Sequence, residues 1–382
     1  MRFAVDAHAI GRHLTGNEVY VRSLLNGFAS IDEEMEILAY LSSADARQWV
    51  PKRFSTRVVS PNPFVRLGWD LSRRLAEDRP DLLHVQYTAP LNCPVPVIVS
   101  VHDVSFLDHP QFFPASRSFQ LRWSVERTVR QAAHVLTGSD FSREAILRAY
   151  RLAPERVSVI PNAANPFFRP LHIDNACDWV RNRFQLPTPF VLSVGDLQPR
   201  KNPVALIQAF AQLVKAQPEL RHRLALVGQD TWYSAKVREA IRESGVSDRI
   251  RLLGFVTDED LLHLYNACEV FVFPSLYEGF GLPVLEAMAC GRAVACSNTT
   301  AVPEVADGAA ILFDPRSVDE IARAMADLLR DPELRIRMER LGQQRAAAFS
   351  WNRTAERTLA AYYRAAQAVR VQTGKSSSIK SR

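Results

Sequence analysis

The sequence predicts an α/β protein made of two Rossmann-like domains in tandem, each a doubly wound parallel sheet. Three observations carry this expectation. The chain has 382 residues, enough for two domains that each bury a core. Its 47% apolar and 23% charged residues are ordinary globular values, which exclude a disordered, collagenous or disulfide-scaffold chain. In both halves, short and fully apolar runs alternate with longer amphipathic stretches, as expected when helices cover both faces of a parallel sheet.

Taken in order, the first half shows strand-like runs at 2–6, 36–41, 81–86, 95–103, 134–139 and 157–161, with helical periodicity near 17–30, 116–132 and 142–151. The second half shows strands at 190–195, 224–228, 250–255, 270–274, 293–297 and 309–313. Helices are expected there near 203–217, 233–244, 258–267, 283–290, 317–330 and 333–347. The Pro-rich stretch 161–170 separates the halves. The expected domains are therefore 1–170 and 171–350. A final helix over 351–372 is free to cross back to the first domain, and a basic tail over 373–382, with Ser376-Ser377-Ser378, is expected to be disordered.

Charge and cysteine usage narrow the classes. The net charge of +6 is made of +2 over 1–175, −1 over 176–363 and +5 in the tail from Arg364, so neither domain carries the basic patch of a nucleic-acid binder. Five cysteines without metal-ligand spacing read as buried apolar residues in a reducing compartment. Charge at Arg2 and Asp6 interrupts any leader-like apolar core, and no run reaches the length of a bilayer span. A cytoplasmic protein is expected, with membrane contact at most peripheral, through the basic tail.

Ligands of such sheets bind at the carboxyl ends of strands. After the strand at 190–195 comes Arg200-Lys201-Asn202-Pro203, where Asn202 is suited to cap a helix and Pro203 to begin it. Two cations beside a helix N-terminus suit a diphosphate, and a solvated basic pair is the alternative. After the strand at 270–274 comes Glu278-Gly279-Phe280-Gly281-Leu282-Pro283, then Glu286 in the expected first helical turn. The two glycines allow backbone amides to approach a ligand, and Glu286 can accept from vicinal hydroxyls. The alternative is an exposed loop Glu and a dipole-favoured helix Glu. A dinucleotide fingerprint is excluded because Val284 holds the third glycine position, and Gly374-Lys375-Ser376 lacks the first glycine of a P-loop.

Asp258-Glu259-Asp260 is a D-x-D triplet of the kind that holds a metal, but Thr257 before it makes a capping box, and no HExxH or Cys/His cluster offers a better metal site. His102-Asp103 closes a strand of the first half, where His102 is placed to donate to a substrate hydroxyl or else sits satisfied in the core. His8, His84 and His134 read as core histidines. Gly16, just before a helix start, is placed to approach a phosphate.

Together these segments resemble glycosyltransferase family 4, the retaining nucleotide-sugar-dependent enzymes of GT-B architecture. The resemblance covers essentially the whole chain and is most specific in Leu252–Val256, in Arg200-Lys201-Asn202 and in the E-x7-E element from Glu278 to Glu286. Ala348-Phe349-Ser350-Trp351 is also typical, and His102-Asp103-Val104-Ser105-Phe106 is similar to mannosyltransferase-like members.

The resemblance implies two domains facing a central cleft and a last helix returning to the first. It implies that Arg200 and Lys201 bind the donor diphosphate, Glu286 takes the ribose hydroxyls and Glu278 lies near the transferred sugar. Backbone amides at Phe280, Gly281 and Leu282 would hold sugar and phosphate, Phe255 and Val256 would meet the base, and His102 would lie beside the sugar ring. The family's Gly-x-Gly-x-Tyr loop here reads Gly16-Asn17-Glu18-Val19-Tyr20. A carboxylate beside a diphosphate is unfavourable, so Glu18 either turns away or meets the acceptor.

The implied activity is α-retaining transfer of a hexose, mannose, from GDP-mannose or a UDP-hexose to a glycan or lipid-linked acceptor. No metal or other cofactor is expected, and the protein is expected to be a monomer or weak dimer. Charge on the leaving group would be met by Arg200, Lys201 and a helix end. Double displacement and front-face attack both stay open, with Glu278 and Asp103 the acids to test. A nucleotide-sugar epimerase and a non-catalytic nucleotide-sugar binder are the alternative functions.

Overall fold

The computed structural model describes residues 1–12, 15–31 and 34–379, and side chains through 368 except that of Thr15. The chain forms two compact units, Met1–Asn162 with Ser350–Arg382, and Ala163–Phe349. The expected boundary at 170 moves to Asn162. The segment beyond it is held by the second unit: Leu171 N–H donates to Asn266 Oδ1 (2.7 Å), Asn266 Nδ2 donates to the Arg169 carbonyl (3.0 Å), and Phe168 meets Tyr265 edge-on.

The first unit holds a seven-stranded sheet of β1 (Arg2–Asp6), β2 (Glu36–Leu41), β3 (Ser55–Val58), β4 (Leu82–Gln86), β5 (Val97–Ser100), β6 (His134–Thr137) and β7 (Val157–Val159). Its order is β3-β2-β1-β4-β5-β6-β7, with every neighbour parallel. Strand β3 was not expected. As an edge strand it has two half-buried residues between two exposed ones and so no apolar run to mark it. Pro96 and the turn at Asp103 trim the run 95–103 to four paired residues.

The second unit holds β8 (Phe190–Val194), β9 (Arg223–Val227), β10 (Ile250–Gly254), β11 (Val270–Phe273), β12 (Ala293–Ser297) and β13 (Ile311–Phe313), in the parallel order β10-β9-β8-β11-β12-β13. Apolar cores cover both of its faces. The expected helices are present within a few residues. Leu71–Asp78 and Ile173–Phe184 are additional, the first too short and polar to show as a periodic stretch.

The last helix, Trp351–Ile379, packs along Thr15–Ile31 within the first unit. Gly27 permits this approach, because a Cβ there would lie 2.7 Å from the Trp351 carbonyl oxygen. Tyr362 adds a buried 2.6 Å hydrogen bond to His84 Nδ1, and its ring meets Phe3 edge-on. The expectation of a disordered tail over 373–382 concerns residues whose side chains, and for 380–382 whose backbone, lie outside the described residues. Helical backbone continues to Ile379, past the expected end at 372.

Candidate functional site

In the second sheet β8 pairs with both β9 and β11, so chain order reverses between β8 and β11. The loops leaving those two strands part at that point and leave an opening at their carboxyl ends. Arg200 and Lys201 belong to the first loop, and Glu278 to Gly281 to the second.

Arg200 and Lys201 occupy a single 3-10 turn, Pro199–Lys201. Asn202 does not cap the following helix as expected. It takes a left-handed conformation (φ 56°), which Asn tolerates, and its amide donates to the carbonyls of Pro274 (3.2 Å) and Pro315 (2.7 Å). The short polar side chain thus joins three loops at the carboxyl edge, while Pro203 begins the helix Pro203–Ala216.

The two cations converge on one carboxylate. Lys201 Nζ is 2.6 Å from Glu278 Oε1, and Arg200 Nη1 is 3.2 Å from Glu278 Oε2. The loops are also joined through their backbones, Leu276 N–H donating to the Arg200 carbonyl at 2.7 Å. The stem of Lys201 lies over Gly195, where a Cβ would be 3.1 Å from Lys201 Cδ, and its ammonium sits 5.1 Å from the Phe273 ring centroid.

All three groups are held away from water, with Glu278 buried and its partners largely so. Burial pushes the Glu278 carboxyl up, but Lys201 and Arg200 together pull it further down, so its net shift is below the usual range. Burial likewise lowers the Lys201 ammonium, with Glu278 opposing. Two cations meet the Glu278 carboxylate here, with Asp196 a second acid acting on Lys201, and an anionic ligand would compete with Glu278 for the two cations.

Thr300, after β12, holds Glu278 from the other side. Its Oγ1 accepts the Glu278 N–H at 3.1 Å although a β-branched residue is unfavourable at its φ of 60°. Gly281 (φ 105°) turns the chain into the helix Leu282–Ala289. Phe280 is buried edge-on against Phe349, so Phe280, Gly281 and Leu282 present backbone at the start of a helix whose first N–H groups lack intrahelical acceptors.

Glu286 is not in the first turn as expected. The helix begins at Leu282, which puts Glu286 one turn further in, buried, with Tyr265 OH donating to its Oε2 at 2.9 Å. Burial raises its carboxyl to about 7 against the lowering effect of that bond. Phe255 and Val256 follow β10 after Gly254 (φ 69°). Phe255 is 54% exposed, and Val256 packs on the core.

In the first unit, Gly16 is the second residue of Thr15–Ile31 and has open space above its Cα. Glu18 turns inward, its Oε1 accepting the Gly11 N–H at 2.9 Å and lying 3.9 Å from Arg22. Asp103 is engaged locally, Oδ1 accepting both the N–H (2.9 Å) and the hydroxyl (2.6 Å) of Ser105 at the start of Ser105–Asp108.

His102 follows β5 with its Nε2 2.9 Å from Gln86 Oε1. The Gln86 amide nitrogen donates to the Asn17 carbonyl, which turns Oε1 toward His102 and makes Nε2 the donor. Burial holds the ring near 4, hence neutral, so the remaining Nδ1 is an acceptor.

The acidic triplet behaves as a cap: Thr257 Oγ1 accepts the Asp260 N–H (3.1 Å), and Asp260 Oδ1 accepts from Trp179 Nε1 (3.1 Å). Among the described residues no group of three His, Cys, Asp or Glu side chains is arranged to hold a metal ion. The expected histidines of the core are bonded there, His8 to Asp6, His84 to Ser100 and His134 to Ser158. Gly195, Phe273, Thr300 and Tyr265 escaped sequence reading, since their importance lies in contacts with residues distant along the chain.

Two Rossmann-like parallel sheets, the second with a cationic recess where its strand order reverses, define the GT-B class of glycosyltransferases. The family model for glycosyl transferases group 1 matches residues 180–345, and that for Glycosyltransferase Family 4 matches residues 14–166. O-antigen chain mannosyltransferase B of Escherichia coli is 35% identical over 266 residues, 69% of each chain. The serotype-specific mannosyltransferase WbdA of Escherichia coli is 31% identical over 315 residues, which span 77% of this chain but 38% of WbdA. Among solved structures, Anabaena HepE in complex with UDP-glucose superposes with a TM-score of 0.74 at 20% identity, covering 94% of this chain and 99% of HepE. The chain belongs to glycosyltransferase family 4 and is a glycosyltransferase.

Proposed function

We infer that the protein transfers mannose, with retention of the α configuration and without a metal ion, from a nucleotide-diphosphate donor such as GDP-mannose to a glycan or lipid-linked acceptor. The observation that carries this reading is the Arg200–Lys201–Glu278 cluster at the carboxyl edge of the second sheet. The names of the Escherichia coli relatives favour mannose and an O-antigen glycan, and the UDP-glucose bound by HepE favours a nucleotide-sugar donor.

Breaking the bond between the anomeric carbon and the diphosphate builds negative charge on the leaving group. Arg200 and Lys201 neutralise it, aided by the N–H groups from Phe280 to Leu282, and because they are already fixed they need little reorganisation. Glu278, held by Thr300, stands beside the sugar and balances the two cations before the donor arrives. Glu286 takes the ribose hydroxyls, and the backbone at Phe255 and Val256 meets the base. His102 Nδ1 accepts a hydrogen bond from a bound hydroxyl. The protein acts in the cytoplasm, as a monomer or weak dimer.

The test is a donor screen of the purified protein with GDP-mannose, UDP-glucose and UDP-N-acetylglucosamine, read by nucleotide release with and without mannosylated acceptors. GDP release that depends on acceptor, with an α linkage by NMR, is expected. An isomerised nucleotide sugar formed without acceptor overturns the transferase reading. Preferential use of UDP-glucose overturns the mannose assignment.

A further inference from the structure

We propose that Asp6, His8 and Arg66, gathered at the carboxyl end of β1, form the site that activates the acceptor: His8 Nε2 takes the proton of the attacking hydroxyl, and Arg66 binds a neighbouring oxygen of the same molecule. The proposal rests on the transferase reading and adds to it the group that receives the proton.

β1 ends at Asp6, and a turn follows in which the Ile10 N–H donates to the Ala7 carbonyl at 3.1 Å. The turn is pinned from the end of β2, where Tyr40 accepts the Ala7 N–H (2.9 Å) and Ser42 Oγ donates to the His8 carbonyl (2.8 Å). Ala7, Ala9 and Ile10 are buried, whereas the His8 side chain is 19% exposed.

A core role accounts for only one edge of the His8 ring. Nδ1 lies 3.0 Å from Asp6 Oδ1, which also accepts the His8 N–H at 3.3 Å. An ionised carboxylate only accepts, so Nδ1 carries the proton and Nε2 of the neutral ring presents a lone pair. Nε2 has no hydrogen-bond partner among the described residues. Burial would raise the Asp6 carboxyl, but His8 and Arg66 together hold it at about 2, so it stays ionised behind the ring. An imidazole oriented by a buried carboxylate, with its other nitrogen open, is the arrangement of a general base.

Arg66 gives the second sign of a ligand. It opens the single π-helical turn Arg66–Asp70, an irregularity frequent at functional sites, and is only 4% exposed. Its Nε lies 3.7 Å from Asp6 Oδ2, near enough to share charge but too far for a hydrogen bond. Its guanidinium makes no hydrogen bond to any described residue, and Nε is enclosed without a partner. Buried N–H donors left in this state call for oxygens from elsewhere. Asp6 already offsets the charge of Arg66, so the ligand selected is a neutral, hydroxyl-rich one, a sugar acceptor, in preference to an anion.

The placement agrees. Ligands of a parallel sheet bind at its carboxyl edge. β1 and β5 flank β4, so their ends lie about 10 Å apart, and His8 and His102 each follow the end of their strand by two residues. As the acceptor oxygen bonds to the anomeric carbon, its proton passes to His8 Nε2. The bond that breaks is the one to the leaving group, which departs with the electron pair. Asp6 stabilises the imidazolium, which then returns the proton to water.

Initial rates with GDP-mannose and a mannosylated acceptor, each varied in turn, test the proposal. His8→Gln keeps an acceptor oxygen at the reach of Nε2 but cannot take a proton, so kcat should fall by about 10²-fold or more with acceptor KM within about threefold. His8→Ala should lose as much, and added imidazole should restore about tenfold or more of that loss. Arg66→Lys, which keeps the charge and loses the planar fork, should raise acceptor KM by about tenfold. GDP affinity should stay within about twofold in all three, since Arg200 and Lys201 belong to the other unit. Imidazole nitrogen NMR of the parent chain, with the His8 signals identified by their loss in His8→Gln, should show the Nδ1–H tautomer in the neutral ring. The proposal is overturned if His8→Gln turns over at the parent rate, if imidazole leaves His8→Ala unchanged, or if the proton sits on Nε2. A parent chain inactive with every donor and acceptor fails the transferase reading itself, whereas an active parent with an active His8→Gln fails this proposal alone.

Discussion

Replacing Glu286 by Gln should stabilise the fold while harming donor binding. Burial raises the Glu286 carboxyl from its ordinary 4.5 to about 7. Between those values the unfolded chain has released this proton while the folded chain retains it, so stability falls as pH rises through the window and levels off above about 7. At about 1.36 kcal/mol per unit, the ionised carboxylate costs the fold at most about 3 kcal/mol above pH 7.

Gln keeps an oxygen for the Tyr265 hydroxyl but adds N–H groups to a buried site, returning about 1 kcal/mol. The variant should therefore gain about 2 kcal/mol over the parent chain at pH 8, and the difference should shrink and reverse toward pH 4.5. Urea denaturation of both chains across that range, followed by tryptophan fluorescence, measures the difference. Donor KM should rise by about tenfold or more in the same variant, because a charged acceptor for the ribose hydroxyls is lost. A stability difference that stays flat with pH would refute the buried-carboxylate argument, and an unchanged KM would remove Glu286 from the donor site.

Lys201→Ala should reduce turnover by about 10²–10³ with the fold retained, checked by initial rates beside circular dichroism; near-parent activity would place the leaving-group site elsewhere. Pairing that change with Glu278→Gln should destabilise less than the sum of the two single changes, measured as a double-mutant cycle by denaturation, because the uncompensated buried charge disappears. Gly27→Ala, which in an open helix would gain about 1 kcal/mol, should instead lower the melting temperature, since the new Cβ meets the Trp351 carbonyl and Ala355 Cβ at 2.7 and 2.9 Å. Gly228→Ala puts a Cβ 2.1 Å from the Gly195 carbonyl oxygen and should cost more than about 3 kcal/mol, seen as loss of soluble protein. Gly254→Ala, with open space at φ 69°, should cost about 1 kcal/mol and remain soluble.

Much of the fold was legible in the chain because strands such as Val270–Phe273 and Ala293–Ser297 are buried on both faces, and such strands read as apolar runs. Ser55–Val58 was not, because an edge strand needs no apolar run and takes its pairing from β2 alone. The ends of elements moved for local reasons, as where Asn202 spends its amide on two carbonyls of other loops instead of capping.

By itself the sequence determined the two-domain parallel-sheet class and the identities of Arg200, Lys201, Glu278 and Glu286, since periodicity and motif spacing are properties of the chain. Only the tertiary structure decided what those residues face. Loops 77 residues apart bring Lys201 to Glu278, Tyr265 shields Glu286, Asn17 and Gln86 set the tautomer of His102, and Gly11 turns Glu18 inward. Burial and partners set the charge and direction of a side chain, and both come from segments that meet only when the sheets have formed.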